Sequence, residues 1–176
     1  MTIERRCGDC QLCCRILPIK EIGKPAHTKC IHQRFAKGCA IYERRPMGCQ
    51  LWSCRWLVND DADDMPRPDR AGYVIDIVPD FITIQDEDGN RSPCQVIQIW
   101  NDPKQPLAYR DPALARWLDR QYEREGLLGL VRFSSKRAIV LWPPAITKRG
   151  WVEMESNLQE HEHSAKEIVE TLGGAT

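Results

Sequence analysis

The sequence predicts an α+β fold, with a cysteine-rich amino-terminal region packed on a small antiparallel sheet with helices. Three observations lead there. Eight of the nine cysteines fall before residue 55. The later segments GYVIDIVP, FITIQ and PCQVIQIW are rich in β-branched and aromatic residues, as half-buried strands are. One stretch, DPALARWLDRQYEREG, changes to a helical period.

The strands are expected at residues 72–78, 81–86 and 94–100, with Asp88-Gly89 as a hairpin turn before the third. Asp111 then suits a helix N-cap and Pro112 the first helical position, while Gly126 ends the helix. Leu114, Trp117, Leu118 and Tyr122 fall on one face at spacings of three and four. LVRF and RAIVLW read as two short strands near 130–133 and 138–142, and Trp151 to Leu172 as a charged, solvent-exposed helix. The chain divides into residues 1–56, a cysteine-cluster region; 57–70, an acidic and proline-rich linker; and 71–176, the α+β domain.

At 176 residues, 42% of them hydrophobic and six of them tryptophan, the chain can build one ordinary domain or two small ones. MTIERRCGDC has no apolar run behind its charges, which argues against a secretory leader. No run of about 18 apolar residues exists, so no membrane span is expected. These features place the protein in a reducing cytoplasm, where stable disulfides are rare, and the odd cysteine count agrees. Net charge is zero, yet residues 1–56 hold eleven Lys plus Arg against four Asp plus Glu, a surplus of +7. Residues 57–176 carry the compensating −7. A basic segment can signal nucleic acid, but neutralising several thiolates explains it locally.

The chemistry is concentrated in CGDCQLCC. If these residues were helical, Cys7, Cys10 and Cys14 would share a face with Cys13 beside them; a tight turn would converge Cys7 and Cys10 equally well. Adjacent Cys13 and Cys14 fit poorly as two corners of one tetrahedron, so the pair suggests two neighbouring sites. With Cys30, Cys39, Cys49 and Cys54, the simplest arithmetic is two sites of four thiolates each, binding metal ions. That makes Cys7, Cys10, Cys13, Cys14, Cys30, Cys39, Cys49 and Cys54 the expected ligands. Gly38 and Gly48 each precede a cysteine and permit sharp turns; Trp52 and Trp56 can shelter a site from water. His27 and His32 are possible additional ligands, though surface loop histidines are the simpler reading.

CxxCxxCC followed by spaced cysteines and YExRPxxC resembles the bacterial family of cysteine-cluster proteins described as zinc- or iron-chelating domains. The matching positions are Cys7, Cys10, Cys13, Cys14, Cys30, Cys39, Tyr42, Glu43, Arg45, Pro46, Cys49 and Cys54, a third of the chain. A similar cluster occurs in bacterial flagellin lysine methylases, where it is associated with iron–sulfur chemistry. Zinc is the favoured cofactor: in small domains it adds ~10–16 kcal/mol of apparent binding energy to folding, which a segment poor in core residues needs. Iron or an iron–sulfur cluster remains the alternative. The expected function is thus a metal-binding protein. A cluster-containing redox or transferase enzyme is the second reading, and a zinc-dependent nucleic-acid or protein adaptor, hinted at by WSCRW, the third.

Other candidates are weaker. Cys94 reads as a small strand hydrophobe. His161 and His163 are two apart and would diverge on a helix. Asp60-Asp61-Ala62-Asp63-Asp64 lacks the glycine and distal glutamate of a calcium loop and reads as flexible and acidic.

Overall fold

The computed structural model describes residues 5–85, 88–134 and 136–157. The amino-terminal part contains short elements only. These are α1 (Leu12–Ile16), the hairpin β1 (Gln33–Arg34) and β2 (Gly38–Cys39), α2 (Met47–Leu51), α3 (Arg55–Val58) and α4 (Pro68–Ala71). Apolar residues are sparse there, so each element buries only a few side chains. Leu12 and Ile16, one helical turn apart on α1, are 1% exposed and pack on Val74 and Trp100.

A five-stranded sheet follows: β3 (Tyr73–Gln85), β4 (Arg91–Asn101), β5 (Leu128–Arg132), β6 (Arg137–Trp142) and β7 (Val152–Asn157), paired in that order. β3 is one long strand where two were expected. Ile75 pairs with Ile99 and Pro79 with Ile97, so four residues advance on β3 while two advance on β4. The bulge sits beside Pro79, which has no N–H to give the ladder, and β3 is an edge strand where such a defect is tolerated.

The expectation of an antiparallel sheet is corrected. β4 and β5 run parallel, and every other pair is antiparallel. The helix α5 (Pro112–Glu125) is the cause, because it carries the chain back along the sheet before β5 begins. Asp111 caps it by accepting a hydrogen bond from the Ala113 N–H, and Gly126 ends it in the left-handed conformation. Leu114, Trp117 and Leu118 are buried against the sheet.

Residues 151–157 are also corrected, because Val152–Asn157 form the edge strand β7 where a helix was expected. Glu153 anchors it, accepting from Tyr109 Oη at 3.0 Å and Arg110 Nε at 2.9 Å. The remainder of the expected helix, including His161 and His163, lies outside the described residues.

Strand alternation divides the core. Ile97 and Ile99 face α5, whereas Trp100 faces the other side, where α1 and Cys54 pack. The thiol-rich segment therefore sits on the sheet face opposite α5. Residues 57–70 join the core as well: Ala62 and Met65 are buried with Tyr73 and Trp117.

The turn from α4 into β3 depends on Gly72, with φ of +78°. A Cβ there would lie 2.8 Å from Ala108 Cβ and 2.9 Å from Gln105 Oε1. Gly72→Ala is expected to lower stability by about 2 kcal/mol, read from the urea midpoint at unchanged slope. A wild-type midpoint would show that neither the backbone nor the contact matters.

Candidate functional site

All eight cysteines of the amino-terminal segment line one cavity of about 430 Å³, floored by Val74, Asp76 and Trp100 of the sheet. The cysteines arrive by several local devices. Gly8, at φ +52°, sits in the turn in which the Cys10 N–H bonds the Cys7 carbonyl at 2.8 Å. α1 presents Cys13 and Cys14. The Cys30 N–H reaches the Cys14 carbonyl at 2.9 Å, laying that loop along α1. β2 carries Cys39, α2 carries Cys49, and Cys54 is the residue before α3. Glu21 fastens α2 by accepting from the Gly48 N–H at 2.6 Å, and that bond lowers its pKa. Trp52 Nε1 donates to Asp76 at 3.0 Å, fixing the wall to its floor.

All nine cysteines are free thiols. Burial raises the pKa of Cys7, Cys10, Cys49 and Cys54, the last to about 11. Cys14 goes the other way, to about 7. The first cause is a hydrogen bond from the Cys13 thiol, with Lys24 and Arg45 adding positive charge. The same bond, followed by burial, pushes Cys13 well above its ordinary value.

The metal expectations are overturned here. Among the described residues, no group of three or more His, Cys, Asp or Glu side chains could hold a metal ion. The sulfurs of Cys7, Cys10, Cys13, Cys14, Cys30, Cys39, Cys49 and Cys54 surround a space rather than converging on a point. Local spacing does not determine where sulfurs delivered by separate elements finally sit. The two four-thiolate sites, zinc, iron and iron–sulfur cofactors, the metal-ion partners and the zinc-dependent adaptor fall with that finding. So does the likeness to zinc- or iron-chelating cysteine-cluster proteins, together with the metal-bound character given to the amino-terminal region.

His32 lines the cavity, while His27 lies against the Trp100 ring at 6.0 Å between centroids, its pKa lowered by burial. Cys94 is half-buried beside the Ile82 and Val96 cluster. The acidic run is pinned: Asp61 pairs with Arg55 at 3.1 Å, Asp64 with Arg120 at 2.8 Å, and Asp63 with Arg5.

Sequence reasoning missed Lys24. It is only 7% exposed, and its Nζ donates to the Leu17 carbonyl and to the Pro25 carbonyl at 3.3 Å. The Cys30, Cys14, Cys13 and Cys49 sulfurs all act on its charge. A lysine between isoleucine, glycine and proline carries no periodic signal that would mark it as buried.

Cys54 gives the site a pH signature. In the unfolded chain its thiol ionises near the ordinary 9.0, while the folded thiol holds its proton to about 11. Its contribution is therefore complete below pH 9 and is lost as pH rises from 9 to 11, about 2 to 3 kcal/mol in all. Urea unfolding at pH 7.5 and pH 11 should show a smaller alkaline loss for Cys54→Ala than for wild type. Equal losses would contradict the burial of this thiol.

No protein-family model, curated protein or solved structure matches the chain. Among the described residues, no helix is long and apolar enough to cross a membrane.

Proposed function

We propose that the cavity is a thiol–disulfide exchange site, with Cys14 the attacking thiolate and Cys49 the resolving thiol. The observation that carries this reading is eight free thiols around one cavity, one of them accepting a hydrogen bond from its neighbour. The Cys14 thiolate attacks one sulfur of a substrate disulfide, forming a mixed disulfide and expelling the other sulfur as a thiolate. Cys49, whose charge couples to that of Cys14, loses its proton and attacks the Cys14 sulfur. This closes a Cys14–Cys49 disulfide and releases the second substrate thiol. Two electrons pass from protein to substrate, and an external dithiol reductant restores the protein.

Cys7, Cys10, Cys13, Cys30, Cys39 and Cys54 complete the wall of this proposed site. In this reading residues 1–56 carry the chemistry, 57–70 join them to the rest, and 71–176 supply the floor. A reducing cytoplasm is the compartment that keeps such thiols free.

The test combines reduced protein with bis(2-hydroxyethyl) disulfide and maps the products by mass spectrometry. Wild type should form the Cys14–Cys49 disulfide and release two thiols. Cys49→Ser should hold a mixed disulfide on Cys14, and Cys14→Ser should do neither. Exchange no faster at Cys14 than at Cys94 would sink the proposal. So would stoichiometric zinc or iron in protein purified without chelator.

A further inference from the structure

The cavity has a rim unlike the rest of the surface. Ile31, Phe35 and Leu51 are 81%, 89% and 75% exposed, and Tyr42 and Met47 are more than half exposed. Phe35 stands at the tip of the β1–β2 hairpin, next to Ala36 at φ +54°. A soluble surface seldom displays that many large apolar side chains within 21 residues of chain. Tyr42 itself lines the cavity, as do His32, Gly48 and Gln50, next in sequence to Ile31, Met47 and Leu51, so rim and cavity are continuous.

Charge is segregated in the same place. Lys29, Arg34, Lys37 and Arg44 are exposed, and among the described residues none has an acidic partner. Some cations elsewhere are matched, such as Arg15 with Asp102, Arg67 with Asp69 and Asp9, and Arg110 with Glu153. Lys104, Arg116 and Lys148 are exposed without an ion-paired carboxylate among the described residues, so the rim segment differs in its shortage of carboxylates. Between residues 29 and 51 the sequence offers one carboxylate, Glu43.

We infer that this rim docks a polypeptide whose reactive disulfide lies in an acidic and apolar segment, so that the substrate is a protein rather than a small disulfide. The inference rests on the thiol–disulfide reading. Opposite charge draws the segment to Arg34 and Lys37, apolar contact with Phe35 and Ile31 holds it, and the disulfide then faces the cavity. Unpaired cations alone would also suit RNA or an anionic membrane. The thiol-lined cavity beside them favours a partner that brings sulfur.

The experiment uses the full chain, reduced, with three substrates. Two are peptides of about 15 residues that carry the same apolar residues and one mixed disulfide, flanked by Asp and Glu or by Lys. The third is bis(2-hydroxyethyl) disulfide. The acidic peptide should be reduced with a kcat/KM about tenfold above that of the basic one, a gap that closes as NaCl rises from about 50 mM to about 0.5 M. Arg34→Glu with Lys37→Glu should abolish the preference, and Phe35→Ser should weaken both peptides. All these variants should leave the small disulfide unaffected. Equal peptide rates with the small disulfide still reduced would overturn the docking inference alone. Failure to reduce any of the three would overturn the exchange reading beneath it. RNA or anionic vesicles that bind the rim while the acidic peptide does not compete would also overturn the inference.

Discussion

Iodoacetamide at pH 7 should modify Cys14 ahead of every other cysteine. With a pKa of about 7 against an ordinary 9.0, about half of Cys14 is thiolate at neutral pH, compared with about 1% of an unperturbed thiol. The gain in rate is smaller than the gain in thiolate. A Brønsted slope of about 0.4–0.5 returns roughly tenfold of it, leaving an advantage of about fivefold before access is considered. The pH profile is the sharper readout: Cys14 should inflect near pH 7, and Cys7, Cys10, Cys13, Cys49, Cys54 and Cys94, all raised, above the ordinary 9.0. Cys13→Ala removes the first cause of the shift, so the Cys14 inflection should move up in pH while the fold persists. A common inflection near pH 9 in the wild type would remove the attacking thiolate from the proposed exchange.

The helix α5 was legible because Asp111, Pro112 and Gly126 mark its ends by chemistry that acts within a turn, and because Leu114, Trp117 and Leu118 repeat at its period. Strands β4, β5 and β6 were legible for the same local reason, whereas β3 was read as two strands. Strand direction was not legible. β4 and β5 run parallel because α5 spans the sheet, a consequence of packing that no window of residues contains. VEMESN deceived by composition: its charges suggested an exposed helix, yet the alternating acid at Glu153 finds Tyr109 and Arg110 from an edge strand.

In the site, sequence located the cysteines that share a wall but not the arrangement of their sulfurs. Cys13 and Cys14 touch because they are neighbours on α1. Cys30 comes alongside Cys14 only through a backbone bond between residues sixteen apart, and Cys49 rides on a helix fastened by Glu21. Those long-range bonds, not the CxxCxxCC spacing, decide whether thiols enclose a space or a point. The buried ammonium of Lys24 was invisible for a related reason: its burial is set by the Ile19–Lys24 bridge and the Leu17 carbonyl.

Arg55→Met should be among the most destabilising single changes in the chain. The Arg55 guanidinium, 9% exposed as a side chain, meets Asp61 Oδ2 at 3.1 Å and Gln121 Oε1 at 3.3 Å. It also lies 5.3 Å from the Trp117 ring centroid. Gln121 is fully buried and donates to the same carboxylate at 3.1 Å, so three polar groups hydrogen-bond one another beside α5, with Arg55 Nε and Asp61 Oδ1 left unpartnered. Removing the arginine leaves a largely buried carboxylate with Gln121 and a distant Arg124 at 3.9 Å. Breaking such a pair from one side costs about 3–5 kcal/mol, and the remaining partners place this case near the lower figure. Arg55→Met with Asp61→Leu removes both charges and should recover most of the loss, because an apolar replacement needs no desolvated partner. The effect should reach the site as well. Arg55 begins α3 directly after Cys54, so the single variant should speed alkylation of Cys54 at alkaline pH while the double variant restores its protection. Urea midpoints at constant slope, paired with that labelling rate, test both halves. Single and double variants equally unstable would show that packing volume, rather than the stranded charge, sets the cost.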